Sequence, residues 1–239
     1  MRLCASFVKL GPVTILAETP DYVIVNKPAG IIMHQGDQHP QADTLANEVV
    51  ARYPEIAQVG EDPLRPGIIH RLDQDVSGVL VVARTQAMFQ HLKSQWQQHL
   101  VRKRYLALVH GTMTQPDGEI KFSIARSAQL FTKMAARPDA SGKAAITRYT
   151  VLQQFQRYAL LDVEILTGRH HQIRVHLNAI GHPIVGEQIY KPKKFTSRLQ
   201  PGRPFLHSAS LSFALPNGTM VGYSAPLPDA LQAILDGLH

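Results

Sequence analysis

A single cysteine, Cys4, stands in 239 residues. One thiol cannot close an intramolecular disulfide, and it cannot build a cysteine-based zinc site. No stretch approaches the roughly 20 consecutive apolar residues that cross a bilayer. The amino-terminal run MRLCASFVKLGPVTIL starts apolar, but Lys9, Gly11 and Pro12 break it, which argues against a secretory signal. Internal repeats, low-complexity tracts and glycine-rich linkers are missing too. These absences describe a soluble chain of a reducing compartment, the cytoplasm, with no membrane partner.

What is present is an excess of positive charge. Lys and Arg number 25 against 18 Asp and Glu, a formal net charge of +7, and 12 histidines can add to it near phosphate. Such a balance suits a polyanion partner, although it also simply confers solubility. With 44% hydrophobic residues the chain can bury a substantial core. We expect one domain, 1–239.

Patterning predicts two short strands and a loop across VTILAETPDYVIVNKPAGIIMH. ADTLANEVVARY (42–53) has helical spacing, with Asp43 as the expected N-cap. VLVVAR (79–84) is a β-branched run, hence a buried strand. Residues 85–101 place Met88, Leu92, Trp96 and Leu100 at every fourth position behind Thr85, an amphipathic helix with its own cap. A strand at 103–111 ends at Gly111, and weak strands follow at 118–125 and 130–136. A hairpin is expected at 144–155/158–167, a helix at 169–180, a hairpin about Pro216-Asn217-Gly218 and a closing helix. Antiparallel pairs dominate and crossover helices are few. The fold class is therefore α+β, with a mixed, mainly antiparallel sheet and flanking helices.

Three stretches carry groups suited to chemistry. In HRLDQDVSG (70–78), Arg71 and Asp73 are two apart and face one side of an extended chain. A guanidinium beside Asp73 would keep it ionised, as a nucleophile must be; the alternative is an aspartate shaping the turn before a strand. Asp75, nearer the Ser77-Gly78 turn, is the better capping candidate. In TGRHHQIRVH (167–176), helical spacing places Arg174 on one face with His170 and His171. The apolar neighbours Ile173, Val175 and Leu177 suggest partial burial, where an arginine seeks a carboxylate. The histidines 170, 171 and 176 lack the spacing of a helical metal pair, so no metal is expected. In RKRYLALV, Arg102, Lys103 and Arg104 precede Tyr105, a pattern that fits phosphate contact with base stacking, or a basic strand edge with a half-buried tyrosine.

Taken together, these stretches resemble one family. HRLDQDVSG is similar to the HRLDxxTSG signature of the RluA-type pseudouridine synthases. RKRYLALVHG resembles their second motif, LTGRHHQIRVHLNAIGHPIVG their third, and VNKPAGIIMH their NKPxGxxxH segment. The four occur in the family's order, and the resemblance spans about residues 14–227. It implies a sheet split by a central RNA cleft. It also implies Asp73 as the catalytic aspartate and Tyr105 stacked on the target uracil as candidate general base. Arg174 would pair with Asp73, and Arg71 would hold the flipped nucleotide or fill the gap it leaves. His70, Arg102, Lys103, Arg104 and Arg169 are the further candidate RNA contacts. The reaction moves uracil from an N1 to a C5 link with the ribose, and it needs no cofactor. The expected substrate is ribosomal RNA, tRNA or both, and the default state is a monomer.

Departures from the pattern are Val76 for the usual threonine, and Glu187 and Lys191 in the segment commonly written GDxxYG. They bear on local geometry and substrate fit. Only about 20 residues precede the first strands, too few for the helical RNA-binding module that many members carry. The basic segment 186–205 is expected to help select the substrate, or else to be a surface loop. The competing functions are an RNA-binding or chaperone protein on an inactive scaffold, and a metal-dependent hydrolase.

Overall fold

The computed structural model describes residues 8–10, 13–34, 44–127, 133–137, 141–190 and 199–238. The first strands are β1 (Val8–Leu10), β2 (Val13–Glu18) and β3 (Tyr22–Lys27). Helix α1 (Leu45–Arg52) and a 3-10 turn (Pro54–Gln58) precede β4 (Ser77–Ala83) and α2 (Gln86–Gln97). Strands β5 (Arg102–His110), β6 (Asp117–Ile120), β7 (Ser123–Arg126) and β8 (Met134–Arg137) follow. Then come β9 (Thr147–Gln154), β10 (Tyr158–Ile165) and α3 (Gln172–Ala179). The chain closes with β11 (Leu206–Ala214), β12 (Met220–Ser224) and α4 (Asp229–Asp236). The class is α+β with antiparallel strand pairing, as the patterning predicts. Among the described residues no helix is long and apolar enough to cross a membrane.

Two compact units form, one from Met1–Val101 with Ser208–Pro226, the other from Arg102–His207 with Leu227–His239. In the first, β1, β2, β3 and β4 pair antiparallel in sequence order, and β12 pairs antiparallel with β11. Strand β4 is buried at every position. Its apolar run has no polar alternation because both faces are covered. Val79 and Val81 join Tyr22, Ile24, Leu211 and Phe213 under Met88, Phe89 and Leu92 of α2. Each such side chain contributes about 1.5–3 kcal/mol by leaving water. The other face meets the 3-10 turn, where Ile56 and Val82 converge about Gly67.

The second unit is built on an antiparallel β5, β10, β9, β6 order, with β7 and β8 as a separate antiparallel pair. Tyr105 lies opposite Val163, and Arg104 opposite Glu164. One face is charged: Arg104 pairs with Asp162, and Arg148 and Lys121 both pair with Glu119. The other face carries Lys103, Tyr105 and Ala107, all buried.

Element boundaries shift for identifiable reasons. Helix α1 is capped by Thr44, whose Oγ1 accepts from Asn47 N–H while Asn47 Oδ1 accepts from Thr44 N–H; Asp43, the expected cap, lies outside the described residues. Thr85 caps α2 as predicted. That helix ends at Gln97 rather than 101, because His99 turns left-handed (φ 58°), and Leu100 is left 57% exposed. Helix α3 starts at Gln172 rather than 169. His171 is also left-handed (φ 56°), which no right-handed helix accommodates. The 3-10 turn at Pro54–Gln58 falls between the predicted helix 42–53 and the loop-rich stretch from Glu61, where patterning assigns no element.

Gly67 holds the approach to β4. Its φ is +67°, and a Cβ there would sit 2.4 Å from the Ala83 carbonyl oxygen and 2.9 Å from Ile56 and Val82. Gly67→Ala is expected to destabilise the protein by about 2–4 kcal/mol, combining backbone strain with overpacking. Equilibrium denaturation by urea measures it.

Candidate active site

In the first unit, the HRLDQDVSG segment is a loop delivered by β4. The chain approaches β4 antiparallel: Gly67 O accepts from Ala83 N–H at 2.9 Å, and Ile68 bridges to Val82. At His70 the backbone leaves. The His70 ring stacks on Trp96 at 4.6 Å, and its Nε2 accepts from Val81 N–H at 3.2 Å. Arg71 is exposed, Leu72 buried and Asp73 half-buried. This alternation puts Arg71 and Asp73 on one side, as their spacing predicts. Val76 N–H donates to Asp73 O and closes the turn (3.1 Å), while Asp75 is exposed. The Val76 side chain is buried, so the place of the family's threonine is apolar here.

Lys27 fixes the far side of this loop. It has no exposed surface, and its ammonium donates to the carbonyls of Pro28 (2.9 Å), Ile31 (3.0 Å) and Gln74 (3.0 Å). Gly30 N–H also donates to Gln74 O, and Gln74 Nε2 donates to Gly30 O. The NKPAG turn and the Asp73 turn are thereby one hydrogen-bonded body. Hydrogen bonds to a charged group contribute about 1.5–3 kcal/mol each, which offsets the burial of the ammonium. Gly78 is required where β4 begins. Its φ is +125°, and a Cβ would lie 2.2 Å from Ser208 O.

In the second unit, β5 alternates. Lys103 and Tyr105 turn to the buried face, and Arg102 and Arg104 to the exposed one. The three basic residues therefore do not form one surface row. Lys103 is 5% exposed, and burial pulls its ammonium down to about 8, with Glu164 acting against the shift. Arg104 is engaged by Asp162. Half-buried Arg169 donates to Ala144 O at 3.1 Å.

Arg174 is not on a solvated helix face. It is 3% exposed and forms a two-point ion pair with Glu187, itself 1% exposed, at 2.7 Å for both contacts. Glu187 Oε1 also accepts from Ile189 N–H (2.8 Å) and Tyr190 N–H (3.4 Å). Burial pushes the Glu187 carboxyl up, but the Arg174 hydrogen bonds and charge outweigh it and hold the group below the usual carboxylate range. The Arg174 guanidinium lies 5.5 Å from the Tyr190 ring centroid. Tyr190 Oη accepts from Met134 N–H (3.1 Å), and it shares a 2.6 Å hydrogen bond with His171 Nδ1.

The left-handed His171 removes the helical spacing expected between His170 and Arg174, since both histidines precede α3. Their rings stack on each other at 3.9 Å, with His170 exposed. His176 is spoken for at both ring nitrogens: Nδ1 meets Thr147 Oγ1 and Nε2 meets Phe122 O, each at 2.9 Å. Burial lowers its pKa, with the bond to Phe122 O opposing. The three-histidine metal reading therefore loses His176. Beneath α3, Gln172 Nε2 donates to Ile146 O and Thr147 Oγ1, and Gln172 Oε1 accepts from Thr167 Oγ1 and Arg169 N–H.

Sequence reasoning missed Lys27 and Gln172, and it treated Glu187 only as a departure. Lys27 carries a faint signal, a lysine directly before proline at a strand end. Lys191 and residues 191–198 of the basic 186–205 segment lie outside the described residues.

Two outcomes test these placements. Glu187→Gln leaves Arg174 buried beside a neutral partner, so a stability loss of about 3–5 kcal/mol is expected in urea denaturation. Lys103 is charged in both folded and unfolded chains below about pH 8, where its burial destabilises the fold. Between about 8 and 10.5 the folded protein has released a proton that the unfolded chain keeps, so this contribution improves as pH rises. Lys103→Met is therefore expected to be more stable than wild type at pH 7, by up to roughly 3 kcal/mol, with the gap closing towards pH 10.5. Denaturation at the two pH values reads the difference.

The RNA pseudouridylate synthase family model matches residues 21–179. An uncharacterized RNA pseudouridine synthase of Chloroflexus aurantiacus is 45% identical over 215 residues, covering 90% of this chain and 66% of that one. The ribosomal large subunit pseudouridine synthase D of Haemophilus ducreyi is 37% identical over 238 residues, covering 95% of this chain and 71% of that one. The chain thus spans about two thirds of the length of these relatives. Among solved structures, human RNA pseudouridylate synthase domain containing 1 superposes with a TM-score of 0.72 at 25% identity, covering 92% of this chain and 85% of that one. The motif order, the α+β antiparallel fold and these matches agree: the chain belongs to the RNA pseudouridine synthase family, a family of isomerases.

Proposed function

We propose that this chain isomerises uridine to pseudouridine in ribosomal RNA, with Asp73 as its catalytic carboxylate. The observation that carries the assignment is the Asp73 loop. A half-buried carboxylate stands on a turn held by a fully buried ammonium on one side and by β4 on the other. A structural turn needs no such support, whereas a reacting group gains from being held in place. The relatives named for the large ribosomal subunit support ribosomal RNA as the substrate class.

The reaction conserves atoms. The N1–C1′ bond breaks, uracil rotates, a C5–C1′ bond forms, C5 loses a proton and N1 gains one. An ionised Asp73 serves attack at C1′, attack at C6, or removal of the 2′ proton. Tyr105, on the buried face of β5, is the candidate to take the C5 proton and to stack on the base. Arg174 contributes a positive charge whose orientation Glu187 fixes. The base must leave its stack to react, at a cost of a few kcal/mol that stacking and backbone contacts offset. Exposed Arg71 and Arg102, with Arg104 and Arg169, are the candidate phosphate contacts. Lys103 is left out of this set because it is buried on β5, and half-buried His70 is left out because Val81 and Trp96 engage its ring.

The purified chain, given uridine-containing ribosomal RNA and tRNA, is expected to produce pseudouridine at defined sites in ribosomal RNA, mapped by carbodiimide and primer extension. Asp73→Asn should lower the rate by more than about 10³-fold while retaining RNA binding. Equal modification by wild type and variant would remove Asp73 from the chemistry. Binding by the wild type without modification of either RNA would favour an RNA-binding protein on an inactive scaffold.

A further inference from the structure

The HRLD segment has an unusual joint at its histidine. Upstream, residues 67–68 run antiparallel to β4, with Ala83 N–H bonded to Gly67 O and Ile68 bridged to Val82. In that register the next acceptor for β4 is the carbonyl of Ile69, which would receive Val81 N–H. Instead the His70 Nε2 receives it, at 3.2 Å. A side chain thus takes the rung that the backbone would have made, and the backbone is released from the sheet one step early. Three residues later it presents Asp73.

The ring is held in one further way. Trp96 of α2 stacks on it, with centroids 4.6 Å apart and planes at 29°. Accepting from Val81 also fixes the tautomer, with the proton on Nδ1 and a lone pair on Nε2. The two ends of the loop are therefore anchored independently, by His70 on β4 and by Lys27 on Gln74.

We propose that His70 is a positioning residue for Asp73: its imidazole substitutes for a strand carbonyl and sets the point at which the catalytic loop leaves β4. The proposal rests on the reading of Asp73 as the catalytic carboxylate. His70 acts through the loop and does not contact RNA.

Four variants of the full chain test it, each compared with wild type for single-turnover rate at saturating RNA, for RNA affinity and for exchange of the Val81 amide. His70→Phe keeps a ring against Trp96 and removes the acceptor. It is expected to lower the rate about 10- to 100-fold, to leave affinity unchanged and to accelerate Val81 exchange. His70→Gln places an amide oxygen where Nε2 stood and should restore both rate and protection. Trp96→Leu should lower the rate by a smaller factor, because the acceptor remains but its plane is loosened. A loss of affinity with an intact saturating rate would make His70 an RNA contact and overturn the proposal. A lowered melting temperature with an intact saturating rate would also overturn it, leaving a purely structural histidine. Asp73→Asn with the wild-type rate and intact Val81 protection would overturn the Asp73 reading itself, and positioning with it.

Discussion

The buried ammonium of Lys27 is the constraint around which the candidate site is organised. A lysine with no exposed surface is unfavourable unless its donors are satisfied, and here three carbonyls from two loops satisfy them. The need for acceptors dictates geometry. Pro28, Ile31 and Gln74 must converge on one point, so the NKPAG turn and the Asp73 turn hold each other. Removing the charge would take this donor from the Pro28 and Ile31 carbonyls and leave Gln74 O with Gly30 N–H alone. The same interaction that stabilises this end of the unit therefore also sets where the Asp73 backbone lies.

The second unit solves a parallel problem with opposite charges. Arg174 and Glu187 are both almost wholly buried, so neither is tolerable alone. Their two-point contact is reinforced by backbone N–H groups from Ile189 and Tyr190. Tyr190 then carries the connection to His171 and to Met134 at the start of β8. Glu187, where the family commonly has aspartate, reaches Arg174 through both carboxylate oxygens here. The Gln172, Thr147 and His176 network beneath α3 has the same logic, since each buried polar atom in it has a defined partner.

Local signals made much of the fold legible. Thr85 before an apolar repeat locates α2, the β-branched run at 79–83 locates β4, and Pro216-Asn217-Gly218 locates the β11–β12 turn. The errors arise where a side chain answers to something distant. His99 and His171 adopt left-handed backbone, which the pattern of apolar residues does not encode. Arg71 and Asp73 share a side because alternation is local, and this was readable. That Lys103 faces inward while Arg102 and Arg104 face outward follows from the strand period, yet three adjacent basic residues look like one surface cluster until the buried face is known. Lys27 was invisible because its partners come from both sides of a 43-residue separation only once folded; the bond to Gln74 spans 47 positions.

These placements change what the net charge of +7 means. Composition counts every cation as a possible phosphate contact, but several are committed inside. Lys27 is enclosed by carbonyls, Lys103 is buried on β5, Arg174 is paired with Glu187, and half-buried Arg84 is held by Glu18, Glu55 and the Tyr53 ring. Arg104 and Arg148 face solvent but are matched by Asp162 and Glu119. Electrostatic attraction for RNA must therefore come from a smaller set of exposed groups, such as Arg71 and Arg102. Fewer phosphate contacts mean a shallower dependence of binding on salt than the overall charge suggests, because each contact releases its own counterions. Lys27 instead fixes the candidate Asp73 loop and Arg174 is tied to Glu187, so part of the positive charge in this chain acts on the protein itself.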